Sequence, residues 1–231
     1  MPTACFSDIK RQKPRSAARI SEGTIFRLTV AIVYESCGLD IGTFLFMHFL
    51  GYNEHMDDPK KNIFLTGAPS SGKTTVMKKV IALLPLPSTG FYTEEERVAG
   101  RRIGFVMRTL GGKSGYLAHQ DIQSDFHIRR YGVSIEHIET IAVPSITPCN
   151  RHIIIIDEIG KMECFSEVFK QAALAALDSP SIVVGTITLG GDDFITRIKS
   201  RGDIEIHEVT QENRDSLPDL ILERVARLLR Q

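Results

Sequence analysis

Neither sign of charge dominates this sequence: 28 Lys+Arg stand against 28 Asp+Glu across 231 residues. Without an excess of positive charge no global field draws in nucleic acid or an anionic membrane, so stable nucleic-acid binding is not expected. The four cysteines, Cys5, Cys37, Cys149 and Cys164, are scattered, with no CxxC pair and no histidine cluster beside them. They offer neither a disulfide framework nor a zinc site, and they fit a reducing, cytoplasmic compartment. Long apolar runs are missing too. The two near the start, residues 28–34 and 41–50, are interrupted by Glu35 and Asp40 and fall short of the roughly 20 residues that a span needs. No membrane partner is expected, and no internal repeat or low-complexity tract is present.

The chain changes texture near residue 58. Residues 1–58 have mixed charge, a Pro/Arg/Ser-rich opening (KRQKPRSAARIS) and apolar runs with no clear helical or strand partner. The opening resembles a transit peptide in composition, but Asp8 and Glu22 speak against one. From Lys60 short apolar runs alternate with helical segments, the pattern of βαβ units and a parallel sheet. The expected organisation is an N-terminal extension over residues 1–58 and an α/β domain over residues 59–231. Met56 stands four residues before Lys60, and a chain starting there is a natural size for one compact domain. Residues 1–55 are therefore expected to be an appended or mis-assigned segment.

Within the domain, Asn62–Thr66 reads as a buried strand and Lys73–Leu84 as a helix stopped by Pro85. Phe91–Val98 and Arg101–Leu110 read as a β-hairpin around Ala99-Gly100. Ile153–Ile156 is a β-branched run suited to a strand buried on both faces. Ser166–Leu177 is an expected helix, and Ser181–Thr188 and Asp203–Val209 are expected strands. Asp215–Arg230 is expected to close the chain as an amphipathic helix, with Leu217, Leu220, Ile221, Val225, Leu228 and Leu229 on one face.

Two motifs carry chemistry. GAPSSGKT, Gly67 to Thr74, satisfies G-x-x-x-x-G-K-[ST] between a strand and a helix, the context of a phosphate-binding loop. Glycines let the backbone turn tightly and aim its N–H groups inward, and the helix adds the positive end of its dipole. Lys73 can reach the β- and γ-phosphates, and the Thr74 hydroxyl can ligand Mg²⁺. The second motif is HIIIIDEIGKME, His152 to Glu163. Its isoleucines put Asp157 at a strand end, where open α/β sheets collect ligands, and there Asp157 can hold Mg²⁺ directly or through water. Glu158 can accept a proton from a water in line with the γ-phosphate.

In order and spacing, GAPSSGKTT, GFYTEEERVAGRRIGF, IIIIDEIGKMECFSEVF and EVTQENRDSL resemble the small THEP-type nucleoside-triphosphatases, the family of the cancer-related nucleoside-triphosphatase. The resemblance covers about Lys60 to Gln231. It implies an α/β, three-layer, RecA-like P-loop fold, here mostly parallel with a β-hairpin insertion. It also implies Mg²⁺-dependent hydrolysis of nucleoside triphosphates (ATP, GTP, CTP and UTP) to diphosphate and phosphate, with little base preference; a monomer is expected. Carried onto this chain, Gly67, Ala68, Pro69, Ser70, Ser71, Gly72, Lys73 and Thr74 hold the phosphates, with Thr75 beside them. Asp157, Glu158, Ile159, Gly160 and Lys161 form the second nucleotide-contacting segment, with Glu158 as base. The family loop often has glycine where this chain has Ser70.

Other candidates stay open at the level of sequence. The block Glu94–Glu96 with Arg97, Arg101 and Arg102 reads either as a solvated, self-paired hairpin or as the source of an arginine for the γ-phosphate. Thr186 and Thr188 read as strand residues or as phosphate sensors. Asn213 is expected to cap the last helix. A kinase with a lid bearing Arg101, Arg102, Arg129 and Arg130 is the main rival reading, and a nucleotide-dependent binding module the other.

Overall fold

The computed structural model describes residues 60–149 and 151–230. The expectations for residues 1–58 lie outside that range. The five isoleucines of β7 (Ile153–Ile159) explain the layering. Ile153 and Ile155 point into one buried cluster, and Ile154, Ile156 and Ile159 into another. A strand that is apolar on both faces is stable only between two covering layers, and each such side chain contributes roughly 1.5–3 kcal/mol on burial.

One layer holds helices α1 (Lys73–Leu83) and α4 (Leu217–Leu228), whose Val76, Met77, Val80, Ile221 and Val225 meet Ile63 and Leu65 of β1 (Asn62–Thr66). The opposite layer holds α2 (Glu167–Asp178), α3 (Asp193–Lys199) and the short helical stretch of residues 135–145. Between them runs the sheet. Strand β2 (Ser88–Val98) pairs with β7, β7 with β8 (Val183–Ile187), β8 with β1 and β1 with β9 (Ile204–Glu208), all in parallel. β8 is thus inserted between the strand that feeds the phosphate loop and the strand that carries Asp157. The structure is the expected three-layer P-loop architecture.

The expected hairpin is part of something larger. β2 and β3 (Arg101–Thr109) pair antiparallel as expected, and β4 (Ser114–His119), β6 (Tyr131–Val133) and β5 (His127–Ile128) continue outward to complete nine strands among the described residues. These added strands are two to six residues long, and β4 and β6 each carry a glycine, so they leave little periodic signal. The helical stretch 135–145 and α3 were likewise unanticipated. In the first a π turn, Ile138–Ala142, interrupts the helical period, and the second is only seven residues long.

α4 corrects one expectation. Leu217, Ile221 and Val225 are buried, but Leu220 is 45% and Leu229 41% exposed. Residues 217, 221, 225 and 228 cluster on a narrow stripe at 3.6 residues per turn, and position 220 lies well around the helix from it. Among the described residues no helix is long and apolar enough to cross a membrane.

Candidate active site

The parallel strands all end at one edge, and the loop after β1 begins there. Thr66 Oγ1 donates to the Ile187 carbonyl at 2.9 Å, tying the end of β1 to β8. At Gly67, with φ 143°, a Cβ would lie 2.8 Å from the Val209 carbonyl oxygen, so the turn needs glycine. Ser70 has φ 64°, in the left-handed region where glycine is at ease, so the serine holds this conformation at a cost in strain. α1 starts after Gly72 with no acidic residue in its first turn, so nothing of its own opposes the positive end of its dipole. Lys73 Nζ donates back across the loop to the carbonyls of Gly67 (3.0 Å) and Ala68 (3.2 Å).

The acidic strand faces this loop. Asp157 is 2% exposed, and its Oδ1 accepts from the Thr186 hydroxyl at 2.8 Å. Its Oδ2 is buried with no hydrogen-bond partner. Burial pushes the Asp157 carboxyl above its usual range, against the pull of the Thr186 hydroxyl, the Thr93 backbone N–H, the Lys73 charge and the Thr74 hydroxyl. A buried carboxylate oxygen without a hydrogen-bond donor, beside a threonine hydroxyl, offers the hard oxygen ligands suited to Mg²⁺, so Asp157 and Thr74 fit that ion. The Asp157–Glu158 peptide is cis. Burial raises the Glu158 carboxyl, Lys73 lowers it and Asp157 raises it.

A third carboxyl lies behind these two. Glu163 is 3% exposed and is pushed up to about 8, first by burial and then by the charges of Glu158 and Asp157. Gly160 makes room for it: a Cβ there would stand 2.9 Å from Glu163 Oε2 and 3.4 Å from Glu158 Cδ.

Pro69, Ser70, Gly72, Lys73, Thr74, Thr75, Asp157 and Glu158 line one cavity of about 790 Å³. Of the other residues expected at the site, Gly67, Ala68 and Ser71 shape the loop beneath it. Ile159 turns into the apolar core, Gly160 is buried and Lys161 is exposed, and these three are not on the cavity wall. The hairpin block joins the wall through Thr93, Glu94, Glu95, Arg102 and Phe105, with Lys78 from α1. Thr186, ambiguous in the sequence, positions Asp157. Asn213 does not cap α4. Its Oδ1 accepts from the Thr210 backbone N–H at 2.8 Å and its Nδ2 donates to the Glu208 carbonyl at 2.8 Å, which closes the turn after β9. Glu163 had no sequence signal, because its burial depends on the turn at Gly160.

Residues 62–222 match the family model described as NTPase. The nucleoside-triphosphatase THEP1 of Thermotoga sp. (strain RQ2) is 43% identical over 162 residues, 69% of this chain and 92% of that protein. The human cancer-related nucleoside-triphosphatase is 37% identical over 180 residues, 70% of this chain and 95% of that protein. The crystal structure of THEP1 from the hyperthermophile Aquifex aeolicus gives a TM-score of 0.65 at 34% identity, covering 71% of this chain and 98% of that one. With the family model matching residues 62–222 and these relatives 37–43% identical over more than nine-tenths of their own length, the chain belongs to this NTPase family, together with THEP1 and the cancer-related nucleoside-triphosphatase.

Proposed function

We propose that the chain hydrolyses nucleoside 5′-triphosphates to the diphosphate and phosphate, with Mg²⁺ and broad base tolerance. The observation that carries this reading is the meeting of Lys73, Thr74, Asp157 and Glu158 on one cavity wall. The names of the relatives support the same activity.

Lys73 and the loop N–H groups neutralise and orient the phosphates. Asp157 and Thr74 would hold Mg²⁺, which when bound draws charge from the phosphate oxygens. Glu158 accepts a proton from water as the water oxygen bonds to the γ-phosphorus. The bond from that phosphorus to the bridging oxygen breaks, and its electron pair leaves with the diphosphate. A carboxyl raised by burial is a stronger base than a solvated one, which suits this role. On the side of the loop nearer β9, a recess of about 290 Å³ lined by Gly72, Thr75, Val76, Lys79, Arg214 and Asp215 would receive the nucleoside in this reading. Its walls are aliphatic stems and exposed charges rather than a rigid set of edge-reading donors, which fits base tolerance.

The test is phosphate release from ATP, GTP, CTP and UTP with Mg²⁺ and no other acceptor, for wild type and Lys73→Ala. Release from several triphosphates by wild type and its loss in Lys73→Ala are expected. Transfer only to an added acceptor would identify a kinase instead.

A further inference from the structure

β2 and β3 stand taller than the strands beside them. Phe91 is the last β2 residue paired with β7, opposite Ile156, and β2 runs on past that level to Val98. Glu95, four residues on from Phe91, lies roughly 13 Å farther along the strand. Phe105 lies opposite Glu95 on β3. The Arg102 guanidinium is held at this height: Nη1 donates to Glu95 Oε1, Nε lies 3.4 Å from the Tyr131 hydroxyl, and Cζ sits 4.9 Å from the centroid of Phe105. Its backbone is fixed as well. The Arg102 carbonyl accepts from the Arg130 guanidinium and, at 3.1 Å, from the Tyr131 hydroxyl.

Arg102 and Glu95 line the same cavity as Lys73, Asp157 and Glu158, whereas Arg97 and Arg101 do not. Arg97 turns away, onto Glu95 Oε2 and the Gly100 carbonyl, and Arg101 is exposed. The sequence presented three arginines of equal standing, and the fold distinguishes one.

We propose that Arg102 is an internal arginine for the γ-phosphate, held by Glu95 and handed to the phosphate oxygens when a triphosphate fills the cavity. The proposal rests on the hydrolytic reading above. An exposed ion pair contributes little to stability, so the exchange is cheap, and Glu95 keeps Arg97 as its counter-charge after Arg102 leaves. A triphosphate carries more negative charge than one shared carboxylate. As the bond to the bridging oxygen breaks, charge redistributes over the phosphate oxygens, and a guanidinium fork meets two of them at once. The antiparallel extension then has a purpose: Tyr131 and Arg130 fix the backbone of a residue whose guanidinium must move from Glu95 to the phosphate.

The test combines steady-state phosphate release with titration of nucleoside diphosphate, alone and with aluminium fluoride, on wild type, Arg102→Ala, Arg102→Lys and Arg101→Ala. Arg102→Ala is expected to lower kcat roughly 100-fold or more while KM moves by about threefold or less. It should keep diphosphate affinity and lose the tightening that aluminium fluoride gives wild type. Arg101→Ala should match wild type. Should Arg102→Ala not fold, Arg102→Lys decides, with kcat expected to fall about tenfold or more because an ammonium lacks the fork. Unchanged kcat in the Arg102 variants, a loss confined to KM, or an equal loss in Arg101→Ala would overturn the role of Arg102 and leave hydrolysis intact. A folded wild type that binds diphosphate but releases no phosphate from any triphosphate would overturn the hydrolytic reading, and this proposal with it.

Discussion

Ser70 and Glu163 are each held in a condition that their side chains disfavour. The left-handed backbone at Ser70 costs about 1–2 kcal/mol for a residue with a Cβ, against roughly 0.5–1 kcal/mol of extra chain entropy lost by glycine. Ser70→Gly is therefore expected to raise stability by about 0.5–1 kcal/mol in urea unfolding. A lower midpoint would show that the serine side chain holds the loop. Glu163 keeps its proton in the folded protein up to about pH 8, whereas the unfolded chain releases it near the ordinary 4.5. The folded state thus binds more protons between those values, and its stability falls as pH rises from 4.5 to 8 and levels off above. The cost at alkaline pH is on the order of 5 kcal/mol, and Glu163→Gln should make that slope shallower in metal-free melts taken across the range, the remainder coming from Asp157 and Glu158, which are raised in the same direction. A slope unchanged in the variant would place the titration elsewhere. Glu158 has the same sign of shift, so the acid limb of kcat/KM should lie above the usual carboxylate range. Asp157 and Glu158 were legible in the sequence because an apolar run must end somewhere and two acids ended it. Glu163 was not, because a glutamate in a short turn carries no mark of what will fold over it.

Among the elements, β7 and β8 act as a pair. β8 is buried throughout, and its Thr186 hydroxyl is the side-chain partner of Asp157 Oδ1. Thr186→Val keeps the β-branched shape and removes the donor, leaving the buried carboxylate short of a partner. Unfolding should become easier by about 1–3 kcal/mol without metal, and Mg²⁺ should bind nucleotide-loaded protein more weakly. No change in either quantity would reduce Thr186 to a strand-filling residue. Elements with a strong local signal, the continuous apolar runs of β1 and β7 and the helical period of α1, could be read from residue types alone. β4, β5 and β6 could not: they are held by pairing with a neighbour already in place, and pairing leaves no local trace. The same limit placed Leu220 and Leu229 on the buried face of α4, since a list of apolar positions does not say how wide a stripe the opposing helix covers.

Taken whole, the molecule divides its tasks along the sheet. The parallel half, β2-β7-β8-β1-β9, brings together the loop, the acidic pair and the strand between them. The antiparallel half adds a wall that brings Arg102 and Glu95 to the same cavity. The first half follows from motifs whose spacing reflects phosphate geometry. The second was visible only as a charged hairpin, because which arginine faces inward depends on register and on the strands outside it. The proposed role of Glu158 unites the site, and it is the point most open to direct test. Phosphate release and triphosphate affinity should be measured together on wild type and Glu158→Gln with Mg²⁺. The variant should bind within about threefold of wild type and release phosphate roughly 100-fold more slowly or worse. Release at the wild-type rate would contradict hydrolysis through Glu158.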